Sequence, residues 1–185
     1  MNKKKITICM ICTIVLIGVY IAAVCYQSYT YPAPLLERVH SGEVITFDEY
    51  DYKVVESGFV PEKDVERFWE NDIESFGEVR VLYVKLQFQR IAEKTENSKI
   101  IQMSDFTLVS DTYNQASDLE RFYYFNSPEE LMKTHDNIGD SKEVCLVFTI
   151  PKVQFTDKQW ENMKVVDYRL HISRYPVIKE IQLCI

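Results

Sequence analysis

Covalent chemistry in this chain has few residues to draw on. Its 185 residues include five cysteines, three histidines and five glycines. Cys9, Cys12 and Cys25 fall in an apolar N-terminal run, where cysteine behaves as a small hydrophobe. That leaves Cys145 and Cys184. A cysteine nucleophile with His135 or His171 as its base would do the chemistry of a surface transpeptidase or hydrolase. Such a thiol needs exposure and a base within hydrogen-bond reach. Cys145, however, sits inside a strand pattern and not at a loop end beside a glycine. His171 alternates onto the face of Asp167 and Arg169, as a solvated strand residue does. The other use of Cys145 and Cys184 is a disulfide. Each lies on the side of its strand opposite the apolar row. A bridge would close a loop of about 40 residues and add roughly 2–4 kcal/mol. Strand adjacency decides between that bridge and two unpaired thiols.

Metal and nucleotide motifs are absent. His40, His135 and His171 are far apart, and no HxxxH or CxxC occurs. No GxGxxG or GxxxxGK[ST] occurs either, so nothing calls for a cofactor. Asp136, Asn137, Asp140 and Glu143 crowd around Gly139. They suit either a hard cation or ordinary turn chemistry, and their spacing is not that of an EF-hand. The aromatic cluster Phe122, Tyr123, Tyr124 and Phe125, with Phe68 and Trp69, supplies candidate partner-binding anchors. Read as a strand, the cluster sends two rings to each face. The alternative is a doubly buried strand covered by a helix over residues 61–73.

The elements that must position these residues read mainly as strands. Period-two alternation is clearest over residues 79–88, where Leu82, Val84, Leu86 and Phe88 share a face. Val144, Leu146, Phe148 and Ile150 form another row. Val166, Tyr168, Leu170 and Ile172 form a third, over residues 163–172, and Ile181, Leu183 and Ile185 a fourth. Shorter candidates cover residues 44–47, 52–55, 100–109 and 121–125. Turn signals fall near Gly42, Asn97-Ser98, Gly139 and Tyr175-Pro176. Such spacing predicts an antiparallel sandwich. Two helical insertions interrupt it. Residues 61–73 place Val65, Phe68, Trp69 and Ile73 at helical spacing behind Pro61. A shorter helix starts at Ser127, with Glu130 completing a capping box.

Ahead of the sandwich, residues 6–25 run uncharged for twenty positions behind Lys3, Lys4 and Lys5. That length spans a bilayer core as a helix and exceeds a cleavable signal core. The alternatives are cleavage or lipidation at Cys25, against which Val24 is branched where a lipobox wants a small residue. The lysines place the N-terminus in the cytoplasm and the rest outside, and Tyr26, Tyr29 and Tyr31 suit an interfacial belt. The predicted organisation is a basic tail at 1–5, a transmembrane signal anchor at 6–26, a stalk at 27–41 stiffened by Pro32 and Pro34, and a sandwich at 42–185. Without Lys3, Lys4 and Lys5 the 21 basic side chains fall to 18 against 28 acidic ones, a net of −10. That charge argues against nucleic-acid binding. With 46% hydrophobic and 13% aromatic residues the chain is not disordered.

The run Gly139-Asp140-Ser141-Lys142-Glu143-Val144-Cys145-Leu146-Val147-Phe148-Thr149-Ile150-Pro151 resembles a segment of a bacterial family. These are small extracytoplasmic immunoglobulin-like domains of Gram-positive bacteria, mostly of unknown function, some described as immunoprotective extracellular antigens. Residues 79–89 resemble their long central strand. Ser104-Asp105-Phe106-Thr107-Leu108-Val109-Ser110-Asp111 resembles their Phe-x-Leu-x-Asp strand. The resemblance covers roughly residues 42–185 and implies an immunoglobulin-like β-sandwich. It departs in the anchor, where many relatives are lipoproteins, and in the insertion at 61–73. The expected function is a non-catalytic module at the cell surface that binds another cell-envelope protein. The alternatives are a surface cysteine enzyme, or a subunit pairing through its transmembrane helix.

Overall fold

The computed structural model describes residues 3–65, 77–95, 101–111, 113–129 and 137–185, and the side chains from residue 10 onward. The chain divides into two compact units, Met1–Leu35 and Leu36–Ile185.

The first unit is helix α1, Lys3–Thr30. Its stretch Met10–Thr30 has 21 residues, a mean hydropathy of 2.1 and no buried share. A helix of that length reaches about 30 Å, enough to cross a bilayer core. It runs past the expected end at residue 26 because Gln27, Ser28 and Tyr29 do not break a helix. Tyr31 N closes the last turn on Gln27 O at 2.8 Å, and Pro32 stops it.

The second unit is a β-sandwich. One sheet, A, contains β1 (Leu35–His40), β5 (Thr107–Ser110), β6 (Tyr113–Ala116), β8 (Arg169–Ser173) and β9 (Val177–Gln182) in the order β1-β9-β8-β5-β6. The other, B, contains β2 (Val44–Phe47), β3 (Tyr50–Phe59), β4 (Val79–Arg90) and β7 (Ser141–Pro151) in the order β2-β3-β4-β7. The expected sandwich is present, but not in immunoglobulin order. There the first strand lies beside the second and the seventh beside the sixth. Here β1 lies beside β9. The difference begins in residues 35–40, read above as stalk. They join sheet A as β1, fastened by Arg38 Nε to Glu180 Oε1 at 2.5 Å and by Lys179 Nζ to Glu37 Oε2 at 2.6 Å.

Alternation explains the core. β4 pairs with β3 on one side and with β7 on the other, antiparallel along almost its whole length. Leu82, Val84, Leu86 and Phe88 face Val144, Leu146, Phe148 and Ile150 in one cluster, which Leu108, Leu170 and Ile181 complete from sheet A. β7 also buries Cys145, Val147 and Thr149 on its other side. There Val147 packs with Val81 and with Val65 of α2 (Glu62–Val65), and Phe125 lies against them. The helical insertions thus build a second small core on the outside of sheet B.

Three predicted strands need correction. The candidate at residues 100–109 is a strand only from Thr107, after a 3-10 turn at Met103–Asp105. Residues 121–125 belong to helix α3 (Leu119–Phe125). Asp118 caps it, accepting from Arg121 N at 3.1 Å. Helical spacing turns Phe122 and Phe125 inward and leaves Tyr123 and Tyr124 68% and 63% exposed. The row assigned to residues 163–172 is a strand only from Arg169. Before it come α4 (Asp157–Glu161), capped by Thr156 and Gln159, and a 3-10 turn at Met163–Val165. Met163 and Tyr168 still reach the core. The expected helix at Ser127 begins at Pro128, and residues 130–136 lie outside the described residues.

The segment around α3 also seals the outer edge of β7. Asn126 Nδ2 donates to Cys145 O at 2.9 Å, and Asn126 Oδ1 accepts from Cys145 N at 2.7 Å. Asp118 N donates to Val147 O at 2.7 Å, and Tyr113 Oη to Thr149 O at 3.2 Å. A side-chain amide here does the work of another strand. Replacing Asn126 by Ala leaves two β7 backbone groups unpaired and should cost about 1–3 kcal/mol. Denaturant midpoints of the detergent-solubilised chain will check this, and an unchanged midpoint contradicts it.

Candidate functional site

A cleft of about 620 Å3 opens at one end of the sandwich. Distant segments form it: the β2–β3 turn, the chain entering β5, and the turn after β8. Phe47, Tyr50, Tyr52, Phe106 and Tyr175 line it with rings. Tyr52 and Phe106 form a nearly closed floor and meet at 6.0 Å in an edge arrangement. Tyr175 stands 56% exposed in the wall. Asp48 and Asp105 are exposed among the lining residues.

The turn that carries Asp48 has an unusual backbone. Asp48 sits at φ 52°, in the left-handed region that aspartate tolerates better than most side chains. A two-residue hairpin between Phe47 and Tyr50 needs positive φ at such a position. Beneath the turn lies Arg90, 3% exposed. Its Nη1 lies 2.7 Å from Glu49 Oε2, its Nη2 bonds Tyr50 Oη, and its guanidinium carbon lies 4.6 Å from the centre of the Tyr50 ring. The backbone repeats the tie: Ile91 N donates to Glu49 O, Arg90 N to Asp140 O, and Gly139 N to Arg90 O.

The cleft lining carries Asp48, Glu49 and Asp105 against Arg174. Burial raises the Tyr52 phenol well above its usual range, and Tyr50, Asp48 and Asp105 add to the effect. Arg174 is the cation among the described lining residues. Its guanidinium turns to Thr107 Oγ1, 2.5 Å away, on the outer face of sheet A. There it helps burial lower the pKa of His171, against the opposing pull of Glu180. His171 Nε2 lies 2.9 Å from Glu180 Oε2, so His171 is a paired residue and not the solvated one its alternation suggests.

The residues singled out for chemistry do not converge. Cys145 and Cys184 are both free. Cys145 is in β7 of sheet B, and Cys184 follows β9 of sheet A. Burial pushes the Cys145 thiol up to about 12, whereas a nucleophile needs it lowered. Lys85, not histidine, sits opposite Cys145 across the strands. His135, Phe68, Trp69 and Asp136 lie outside the described residues. Asp140 spends Oδ2 on Asn137 N and Nδ2, at 3.1 and 3.2 Å, which is turn chemistry. No cluster of metal-ligating side chains occurs among the described residues. Of the aromatic cluster, Tyr123 and Tyr124 are exposed, while Phe122 and Phe125 pack inward.

These features define a β-sandwich with an aromatic end cleft. The chain belongs to the family of the domain of unknown function DUF5028, which matches residues 37–179. Among solved structures it is similar to a functionally unknown protein from Listeria monocytogenes EGD-e, at 12% identity, TM-score 0.42 and 70% coverage of each chain. It is also similar to an uncharacterised β-sandwich protein from Clostridium difficile 630, at 12% identity and TM-score 0.42, over 80% of this chain and 95% of that one. No curated protein matches it.

The thiol environment makes a direct prediction. A pKa of about 12 leaves only about one Cys145 thiol in ten thousand ionised at pH 8. With the α1 cysteines replaced by alanine, maleimide at pH 8 should label Cys184 quickly and Cys145 only after unfolding. Fast labelling of Cys145 in the folded chain contradicts the buried-thiol account.

Proposed function

We propose that this chain is a membrane-anchored, extracytoplasmic binding module of the bacterial cell envelope, without catalytic activity of its own. The observation that carries this reading is the end cleft, a concavity walled by rings and carboxylates. Aromatic residues in such a wall make rigid anchors for a partner. A thiol with a raised pKa, far from any described histidine partner, speaks against a cysteine enzyme. The apolar stretch of α1 supports the anchor, and Lys3, Lys4 and Lys5 support a cytoplasmic N-terminus. An acidic ectodomain would stay soluble at a membrane surface and approach basic partners fastest. The partner in this reading is another envelope protein. Tyr123 and Tyr124 offer a second, smaller aromatic surface.

A photo-crosslinking residue placed singly at Tyr175, Tyr123 or Gln89 of the full chain tests the proposal in source-cell membranes. The reading predicts one reproducible envelope-protein adduct from Tyr175 that Gln89, on the outer face of sheet B, does not give. Recovery of the chain alone from Tyr175 contradicts it.

A further inference from the structure

We propose that the end cleft is the docking seat for a basic side chain, a lysine ammonium or an arginine guanidinium, presented by a partner polypeptide. The inference rests on the binding-module reading and names the chemistry of its partner.

The wall combines what a desolvated cation requires. A ring face attracts a cation through its quadrupole, and a carboxylate supplies the counter-charge. Of the five lining rings Tyr50, Tyr52 and Phe106 are buried, which leaves Phe47 and Tyr175 to meet a cation, with Asp48 and Asp105 exposed among the lining residues. The chain already makes this pairing twice, once around buried Arg90 and once at its surface. Arg90 lies 4.6 Å from the Tyr50 ring centre with Glu49 bound to it, and Arg80 lies 4.4 Å from the Trp160 ring. In the second case Glu78 accepts from Trp160 Nε1 at 2.7 Å, so ring, carboxylate and guanidinium again meet. The cleft repeats the first two elements of that set. Arg174 is the described lining cation, and its guanidinium is engaged with Thr107 on the outer face of sheet A.

The size of the cleft favours a polypeptide source. A single ammonium group fills a small part of about 620 Å3, whereas a lysine or arginine with its flanking backbone fills much more of it. The net charge of −10 over residues 27–185 would steer such a segment inward and make binding salt-sensitive. The Tyr52 phenol is raised chiefly by burial, and Tyr50, Asp48 and Asp105 add to the rise.

The test uses the full chain in zwitterionic nanodiscs, with capped hexalysine as the probe and capped hexaglutamine and tetramethylammonium as comparisons. Hexalysine should bind, and raised salt should weaken it. The double variant Asp48→Asn with Asp105→Asn should lose about tenfold in affinity at an unchanged melting temperature. A control of equal charge, Glu120→Gln with Asp157→Asn, should stay within about twofold, since both side chains are fully surface-borne. Equal loss in both double variants makes the attraction a property of overall charge and overturns the proposal. Equal binding of hexaglutamine overturns the cation. Tetramethylammonium binding as tightly as hexalysine overturns the polypeptide source. A Tyr175 adduct that survives in the Asp48→Asn, Asp105→Asn chain also overturns the proposal, yet leaves the binding-module reading standing. Absence of any Tyr175 adduct overturns that reading instead.

Discussion

The guanidinium of Arg90 is the interaction on which the end of this sandwich depends. A charge this deeply buried is costly unless paired and hydrogen-bonded. Arg90 meets that requirement with Glu49, Tyr50 Oη, the Tyr50 ring and Ala92 O. Those contacts hold the β2–β3 turn and the chain just after β4. Glu49 and Tyr50 belong to the turn that forms one wall of the cleft, and the Arg90 backbone bonds Gly139 and Asp140 ahead of β7. Removing one partner of such a pair leaves the other uncompensated, at a cost of about 3–5 kcal/mol. The wall of the cleft formed by Glu49 and Tyr50 is thus tied to the burial of one cation.

A second constraint concerns open edges. A sandwich exposes unpaired strand edges that invite association unless something blunts them. β7 is apolar on both faces, so its free edge would be the most hazardous in the molecule. Asp118, Asn126 and Tyr113 cover it with side-chain and backbone bonds, while Phe125 and Val65 cover its outer face. At the far edge of sheet A the solution is electrostatic. β1 has little buried surface, and Arg38 and Glu37 hold it to Glu180 and Lys179. The strand that follows the helical unit is held by its ladder to β9, by these ion pairs and by Val39 against the core.

Strands with strict alternation and a buried partner on each side were legible in the sequence. β4 and β7 show every inward residue where period two places it. Local chemistry misleads where a short segment fits two periods. Phe122, Tyr123, Tyr124 and Phe125 suit a strand by type, and Asp118 and Asn126, flanking them, decide for a helix. The Thr156–Gln159 capping box is a local signal for α4 that a search for period-two rows passes over. β1 could not be read because Leu35 and Leu36 stay exposed and its holding partners lie more than a hundred residues away. The cleft was hidden for a similar reason. Each of its rings reads singly as core, and Glu49 and Arg90 lie 41 residues apart. Only the folded topology shows which rings share a concavity and which carboxylates stand over them.

The claim that Arg90 holds the Glu49–Tyr50 wall of the cleft is tested most directly by amide hydrogen exchange of the Arg90→Met chain, resolved by residue. The account predicts that protection at Phe47, Tyr50 and Tyr52 and over residues 101–106 falls by about tenfold or more, while β8 and β9 keep theirs. Unchanged protection at Tyr50 and Tyr52, or an equal loss throughout both sheets, would contradict it.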